Sequence, residues 1–258
     1  MIGNFAIEQT NSVLSWTKLS INPKIIIFGD DEGVPEFCSK HNGIINILDV
    51  KKGETGMPLV SDMIQQGYKH CDEYIMYLNS DIILLDDFSE TFKSFAIKYP
   101  TVKSCLLTAQ RYNVKNYHLI DFNNVEWRED VINSFVGEYE SPVGVDMFLH
   151  KKYNYESIPD FSIARCAFDT WLMDHANNYF EMTVNMTATV KIYHHYGLWY
   201  QGNKMMERDW GMLFSNPEFV ANYKLMNDNR DKNSYRPSIL QCGYKSIYSG
   251  YDIIFVKQ

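Results

Sequence analysis

Residues 74–85 read YIMYLNSDIILL, an apolar run that Asn79, Ser80 and Asp81 interrupt. The first part of the run predicts a buried strand over residues 73–78, because its apolar residues are nearly continuous. A carboxylate at the end of a buried strand must be hydrogen-bonded, paired or bound to a metal, since an isolated buried charge is very costly. Asn79 and Asp81 are two positions apart, so on extended backbone both side chains project to one face.

Two oxygen-bearing side chains on one face suit a hard divalent cation. Mg²⁺ or Mn²⁺ is commonly held by one or two protein oxygens, while water and phosphate fill its other positions. Asn79 and Asp81 are therefore candidate metal ligands. Asn-Ser-Asp is also typical of a turn at the end of a strand, so turn chemistry is the structural alternative.

Composition and charge exclude several classes of protein. The chain has 258 residues, 45% hydrophobic and 15% aromatic, which indicates a folded protein with enough material for a large core. The net charge is −8 without a Lys/Arg run, so we expect no nucleic-acid partner and no binding to anionic membranes. Five scattered cysteines without a CxxC pair favour reduced thiols over a disulfide framework or a zinc knuckle.

The sequence shows neither the pattern of a membrane span nor that of a signal peptide. No window approaches the roughly 18 apolar residues of a membrane span. The first ten residues carry Glu8 and lack the basic and apolar regions of a signal peptide. We therefore expect a cytoplasmic protein without a membrane span.

The order of patterns predicts an α/β fold. Strand-like runs alternate with helix-like segments up to residue 110, which indicates a parallel sheet covered on both faces, and the part after residue 110 is expected to be mixed. The predicted strands are 24–28, 44–48, 73–78, 103–108, 143–149, 182–184, 187–193 and an edge strand at 251–256. The predicted helices are 8–20, 34–40, 59–68, 87–99, 123–135, 169–178, 203–213 and 217–226. No repeat or linker is seen, which favours one domain over residues 1–258.

Several short motifs in this order carry a family resemblance. They are NSVLSW (11–16), IFGDDEGV (27–34), GMPL (56–59), LNSDIIL (78–84), QRY (110–112), GVD (144–146), FDTWL (168–172) and His194. From about Gln9 to about Leu225 the chain resembles nucleotide-diphospho-sugar transferases, that is, glycosyltransferases with the GT-A fold. The resemblance implies a single GT-A-like, Rossmann-type mixed sheet with helices on both faces. Residues 1–110 would form its nucleotide-binding half and residues 111–258 its acceptor half.

The resemblance also implies roles for residues that hold the donor. Asn79 and Asp81 lie where these enzymes have a DxD-type motif, which binds the Mn²⁺ or Mg²⁺ that bridges the donor diphosphate, and His194 lies where a late third metal ligand is found. The expected contacts to the donor itself are made by Asp31 and Glu32 at the base or ribose, Gly56 and Pro58 in a turn over the nucleotide, and Arg111 near the phosphate or sugar.

Asp146 and Asp169 match acids on the acceptor side of the family's site. A base that takes the proton from an attacking sugar hydroxyl suits an inverting displacement, and Asp169 is the candidate for it. The expected activity is metal-dependent transfer of a sugar from a nucleotide-diphosphate-sugar donor, with UDP the commonest nucleotide in such folds, to an acceptor hydroxyl on a glycan.

Each role has a structural alternative. Asp31 and Glu32 suit a solvated loop, Asp169 suits the N-cap of a helix, and Arg111 suits a surface ion pair. For the whole chain, the alternatives are a non-catalytic module that binds a nucleotide-sugar or glycan, and a sugar-nucleotide nucleotidyltransferase. The last class expects a Gly- and Arg-rich phosphate loop after its first strand, but residues 1–7 contain one Gly and no Arg.

Overall fold

The elements of the fold were obtained from a computed structural model that describes residues 6–54, 56–114, 118–163, 167–195, 199–201, 204–206 and 215–258. Seven α-helices lie within these ranges. They are α1 (Ala6–Thr17), α2 (Val34–Lys40), α3 (Val60–Tyr68), α4 (Asp86–Lys98), α5 (Trp127–Ser134), α6 (Phe168–Tyr179) and α7 (Pro217–Asn229). None of the helices in the described part of the chain is both long enough and apolar enough to cross a bilayer.

The strands, in chain order, share a short length of two to six residues. They are β1 (Ile25–Phe28), β2 (Ile44–Ile47), β3 (Tyr74–Leu78), β4 (Ile82–Ile83), β5 (Cys105–Thr108), β6 (Arg111–Val114), β7 (Gly137–Tyr139), β8 (Met147–Lys151), β9 (Met182–Asn185), β10 (Ile192–His195), β11 (Trp199–Gln201), β12 (Lys204–Met206), β13 (Tyr244–Ser249) and β14 (Asp252–Lys257).

The largest sheet has six strands in the order β14-β13-β9-β5-β8-β3. β9 pairs in parallel with both β13 and β5, whereas β8 runs antiparallel to β5 and β3. The expected mixed α/β class is therefore confirmed, but the strands up to residue 110 do not form one parallel sheet, because the antiparallel strand β8 lies between β3 and β5. The strand expected over residues 251–256 is confirmed as β14, which forms one edge of this sheet.

Helices cover both faces of the six-stranded sheet. β5 shows why, since all four of its residues are buried and successive side chains point to opposite faces. Leu106 packs in a cluster with residues of α3 and α6, while Leu107 packs in another with residues of α1 and α4. The near-continuous apolar character of the strand follows from its burial on both sides.

A second sheet has four strands in the order β4-β10-β6-β7. Residues 79–81 carry the chain from the end of β3 in the larger sheet to β4 in this one. Three other short connections, at residues 109–110, 140–146 and 186–191, also join the two sheets. These four short connections lie at the junction between the two sheets, which is where polar side chains collect.

β1 and β2 form a separate parallel pair. β1 faces β3 across a mainly apolar cleft of about 460 Å³. Side chains of both strands contribute to the same two layers: Ile25 and Ile27 pack in the cluster that includes Met76, and Phe28 packs in the one that includes Ile75. β1 therefore lies in line with the six-stranded sheet, although no ladder joins it to β3 within the described ranges.

Two expectations for the second half of the chain are corrected. The strand expected over 187–193 starts only at Ile192, because residues 187–190 form a turn in which Thr189 and Val190 donate backbone hydrogen bonds to Met186. The helix expected over 203–213 is wrong where it is described, since residues 204–206 form β12, which pairs with β11. The rest of that segment lies outside the described residues.

Gly137 is required by the close approach of β7 to β6. A Cβ atom at this position would lie 1.7 Å from the backbone oxygen of Asn113. We expect Gly137→Ala to lower the free energy of unfolding by about 1–3 kcal/mol, because β7 must move away from backbone atoms that cannot yield. Urea denaturation monitored by circular dichroism measures this change. Gly243→Ala is the control, since its Cβ would meet only Thr183 Oγ1 at 3.9 Å. An equal loss in both variants would contradict the steric argument.

Candidate functional site

The interrupting residues 79–81 of the long apolar run form a turn that joins the two sheets. The Ile82 N–H donates to the Asn79 carbonyl at 3.3 Å, so the turn expected as the structural alternative is present. The turn also presents polar groups to neighbouring strands. The Asn79 backbone N–H donates to the Asp146 carbonyl at 3.2 Å, and its side-chain Nδ2 donates to Asp146 Oδ1 at 3.0 Å. Asn79 therefore binds Asp146 through both its backbone and its side chain.

Arg111 joins Asp146 to a residue that the sequence motifs did not single out. Its Nη1 donates to Asp146 Oδ2 at 2.8 Å, and its Nη2 donates to Glu140 Oε2 at 3.0 Å. Burial alone would lower the pKa of Arg111, but the charges of Asp146 and Glu140 outweigh it and raise the pKa. Arg111 is thus a mostly buried cation, with 17% of its side chain exposed, held between two carboxylates, and not the surface ion-pair member considered for it.

A second set of contacts runs from Glu140 to Asp81. Asn113 Nδ2 donates to Glu140 Oε2 at 2.9 Å, and Asn113 Oδ1 lies 3.1 Å from His194 Nδ1. His194 Nε2 in turn lies 3.4 Å from Asp81 Oδ2. The register of the four-stranded sheet produces this order, because His194 pairs with Asn113 on one side and with Ile82 on the other.

Together these contacts make one network, which we call the junction network. Its members are Asn79, Asp81, Arg111, Asn113, Glu140, Asp146 and His194. The network brings together five of the expected site residues, and it adds Asn113 and Glu140. Alternation along β6 could have indicated Asn113, since it shares a face with Arg111 while Tyr112 and Val114 pack in an apolar cluster. No comparable signal marks Glu140.

His194 and His195 point in opposite directions, as alternation along a strand requires. His195 Nδ1 lies 2.5 Å from Glu8 Oε1 on α1, whereas His194 faces Asp81. Of the two neighbouring histidines, therefore, His194 belongs to the junction network.

Asp81 has one oxygen without a partner. Oδ1 is buried and accepts no hydrogen bond among the described residues, although the side chain as a whole is 38% exposed. Burial raises the pKa of Asp81, but the contact with His194 outweighs burial and lowers it. The group is therefore a carboxylate with one buried oxygen that has no partner among the described residues, in a side chain that is partly exposed.

Asp169 lies in the first turn of α6. Its N-cap is Ala167, so the N-cap role considered for Asp169 is wrong. Asp169 Oδ1 accepts from the Thr170 N–H at 2.7 Å. The pKa of Asp169 is raised to about 6. Burial is the main cause, the hydrogen bond from the Thr170 N–H opposes the rise, and the charge of Asp146 adds to it.

Tyr77 on β3 links Asp169 to the junction network. Burial raises the pKa of Tyr77, and the charges of Asp146, Asp169 and Asp81 add to that effect in this order. The three carboxylates therefore lie within electrostatic range of one hydroxyl group.

Four other expected residues lie outside the junction network. Asp31 and Glu32 are exposed in the loop that follows β1. Gly56 has a φ of +86°, which favours glycine, and it lies in the turn before α3. The carbonyl of Pro58 accepts from the Ile163 N–H at 2.9 Å. β1 does not pair with β3 within the described ranges, so no strand ladder joins the segment that carries Asp31 and Glu32 to the one that leads into the junction network.

Comparisons with known proteins add no assignment to this geometry. No model of a known protein family matches the chain. No curated protein matches it either. The interpretation of the site therefore depends on its residues and on the resemblance of the sequence motifs.

The metal expected at the site can be tested against the ligands present. Within the described residues, no group of three or more His, Cys, Asp and Glu side chains is arranged to hold a metal ion. Asp81 and His194 nevertheless face each other, and Asp81 Oδ1 lacks a partner. A carboxylate and an imidazole are suitable ligands for Mn²⁺, and an amide oxygen such as that of Asn79 suits it as well. The donor set fits a divalent cation whose other ligands are water or substrate oxygens.

The ion pairs of Arg111 are expected to contribute strongly to stability. Arg111→Met would leave Asp146, whose side chain is 9% exposed, as a buried charge without a cation. We expect the free energy of unfolding to fall by about 3 kcal/mol or more. Equilibrium urea denaturation measures the loss.

The matched control is Arg128→Met. Arg128 pairs with Asp86 at 2.9 Å, but both side chains are about one-third exposed. A pair of that kind is expected to contribute about 1 kcal/mol or less. If the two variants lost the same stability, Arg111 would not be the buried bridge described above.

Proposed function

We propose that this protein is a metal-dependent glycosyltransferase. It moves a sugar from a nucleotide-diphosphate-sugar donor, with UDP the expected nucleotide, to a hydroxyl group on a glycan acceptor. The observation that carries the proposal is the pair of Asp81 and His194 at the end of β3, with Asp81 Oδ1 buried and unpartnered among the described residues. The order of sequence motifs that resembles GT-A enzymes supports it.

Asp81 and His194, with the side-chain oxygen of Asn79, would hold Mn²⁺ or Mg²⁺. A bound divalent cation supplies positive charge to the departing diphosphate, an effect often worth several kcal/mol. The junction network has four acidic groups nearby (Asp81, Glu140, Asp146 and Asp169) and one arginine. This excess of negative charge favours a cation, and it disfavours direct binding of a diphosphate by the protein alone.

Asp169 is the proposed base. It would accept the proton of the attacking hydroxyl group, which makes that oxygen a better nucleophile. Its raised pKa suits the task, because the carboxylate is ionised at neutral pH and yet more basic than an ordinary aspartate. Asp146 would orient the acceptor beside it, held by Arg111 and Asn79.

Donor contacts at the loop after β1 remain a prediction. Asp31 and Glu32 would accept from ribose hydroxyls or a base N–H, and Gly56 and Pro58 would line the turn over the nucleotide. Arg111 is expected near the donor phosphate or sugar. Both of its terminal nitrogens already contact carboxylates, so its main effect there would be to position Asp146.

Asp81→Ala tests the metal site. In a thermal-shift panel, the wild-type protein should be stabilised by a UDP-sugar with Mn²⁺, by about 2.7 kcal/mol at a ligand concentration 100 times Kd. The variant should lose this stabilisation, and its transfer rate should fall by about a thousandfold or more, which corresponds to about 4 kcal/mol. Asp252 is an exposed acid on β14, so Asp252→Ala is the control for the loss of one negative charge. Wild-type turnover in Asp81→Ala with metal present would refute the assignment.

A non-catalytic module that binds a nucleotide-sugar is the second candidate. It is favoured by Asn79, which stands where the resemblance expects an acid and which donates to Asp146. Slow release of free nucleotide from the donor in the presence of Mn²⁺ separates the two functions. A transferase releases nucleotide, whereas a binding module is stabilised by the donor but releases none.

The pH dependence of transfer tests Asp169. Since burial raises its pKa to about 6, the base is ionised above that pH and protonated below it. We expect the transfer rate to fall about tenfold per pH unit below pH 6, and Asp169→Asn to lower the rate by a factor of about 10²–10⁴ and abolish this dependence. Initial rates between pH 4.5 and 8 provide the measurement.

Asp87→Asn is the matched control for that profile. Burial also raises the pKa of Asp87 to about 6, but its oxygens accept from the backbone N–H groups of Phe88 and Lys191, outside the junction network. This variant should keep the acidic limb of the profile. If the acidic limb disappeared in Asp87→Asn and persisted in Asp169→Asn, it would reflect the titration of Asp87, and the assignment of Asp169 as the base would be refuted.

A further inference from the structure

Two strand edges face each other across the cleft between β1 and β3. Among the described residues, β1 pairs only with β2, and β3 pairs only with β8. The cleft between the two strands has a volume of about 460 Å³ and a mainly apolar lining. A strand edge carries backbone N–H and C=O groups, which are costly when they are buried without a partner. The cleft is therefore bordered by two rows of backbone groups that lack a strand partner.

The hydrogen bonds on the far side of each strand show which residues form these rows. Alternate residues of a strand direct their backbone groups to opposite edges. The Gly29 N–H donates to Ile47 O beside β2, and the Asn79 N–H donates to Asp146 O beside β8. The residues that alternate with these direct their backbone groups at the cleft, and they are Ile26, Phe28, Tyr74, Met76 and Leu78. Among the described residues, no backbone hydrogen bond crosses the cleft.

Helices cover the cleft on both faces, as they cover the neighbouring strands. Ile64 of α3 lines the cleft on one face, and Trp16 of α1 and Phe88 of α4 line it on the other. In a sheet packed between helices, one residue of a strand occupies about 160 Å³, given a strand spacing of about 4.8 Å, a layer spacing of about 10 Å and a rise of about 3.3 Å. The cleft therefore has room for about three residues of extended chain.

The unpaired edges determine what kind of molecule suits the cleft. A purely apolar ligand would match the lining, but it would leave the backbone groups on both edges without partners. An extended peptide places its side chains against the two helical layers and its own N–H and C=O groups against both edges. The structure thus favours a peptide strand over a hydrocarbon.

We propose that the cleft accepts one extended, apolar segment of a partner polypeptide, which completes the sheet between β1 and β3. Lys24, Asp72 and Glu73 line the cleft just before the two strands begin, and all three are exposed. Acids outnumber lysine at this end, so basic residues flanking the apolar segment suit the partner. The proposal does not depend on the transferase function proposed above.

A synthetic peptide tests the proposal with the full chain. The probe is fluorescently labelled Lys-Lys-Val-Ile-Val-Ile-Val-Lys-Lys, whose apolar part is as long as the five residues of β3. Its binding is measured by fluorescence anisotropy. The same peptide with N-methyl groups on both isoleucines keeps the side chains but loses two backbone donors, so it should bind at least tenfold more weakly. Equal affinity of the two peptides, or no saturable binding up to about 1 mM, would overturn the proposal.

Hydrogen exchange of individual amides, measured by NMR, locates the bound peptide. In the free protein the amides of Ile26 and Met76 should exchange fast, because they lack acceptors, and the peptide should slow their exchange at least tenfold. Ile27 and Tyr77 are the internal controls, since their amides already face β2 and β8. Slow exchange of Ile26 and Met76 without peptide would mean that β1 and β3 pair with each other, and it would refute the proposed slot.

Met76→Pro removes one donor from the edge of the cleft. Proline is tolerated at a strand edge where the N–H has no partner, but it cannot pair with an inserted strand. Peptide affinity should therefore fall at least tenfold in Met76→Pro and stay at the wild-type value in the matched control Met76→Leu, which keeps the N–H. Wild-type affinity in Met76→Pro would contradict the proposal. If Met76→Pro does not fold, the N-methylated peptide tests the same backbone pairing on the wild-type protein.

Discussion

The pairing of Arg111 with two carboxylates is the interaction that the site depends on. Arg111 starts β6 in the four-stranded sheet, Asp146 immediately precedes β8 in the six-stranded sheet, and Glu140 follows β7. One guanidinium group therefore joins both sheets at the point where the chain crosses between them. Its planar shape presents two nitrogens to two acceptors at once, which a lysine could not do with the same geometry. The rigid junction that results holds side chains from five chain segments.

Negative charge dominates this junction, and the group that compensates the charge differs from one carboxylate to the next. Asp146 and Glu140 are compensated by Arg111, and Asp81 by its contact with His194. Asp169 has only neutral donors at hydrogen-bonding distance among the described residues, and burial, with the charge of Asp146, raises its pKa. A site in which similar groups have different proton affinities can hold a cation with one acid and accept a proton with another.

The sequence predicted the strongly patterned parts of this arrangement and missed the parts set by long-range pairing. The apolar run of β3 indicated a strand because that pattern is local, whereas His194 was expected at the site only from the family resemblance. β4 has only two residues, so the change of sheet after Asn79 left no periodic signal. Glu140 lies 29 positions from Arg111, and nothing in the composition around it marks it as a partner. Pairings of that kind follow from tertiary packing, which one sequence does not reveal.

Helix α1 makes the site a late product of folding. Its Trp16 Nε1 donates to Ile82 O, its Asn11 side chain binds the backbone of Ile120, and its Glu8 contacts His195. These partners are separated along the chain by 66, 109 and 187 positions, so each contact closes a long loop. On the ribosome, β10 cannot dock against α1 until residue 195 has emerged. The contact that fixes β10 against α1 therefore forms only after α1 and the strands between them have been made.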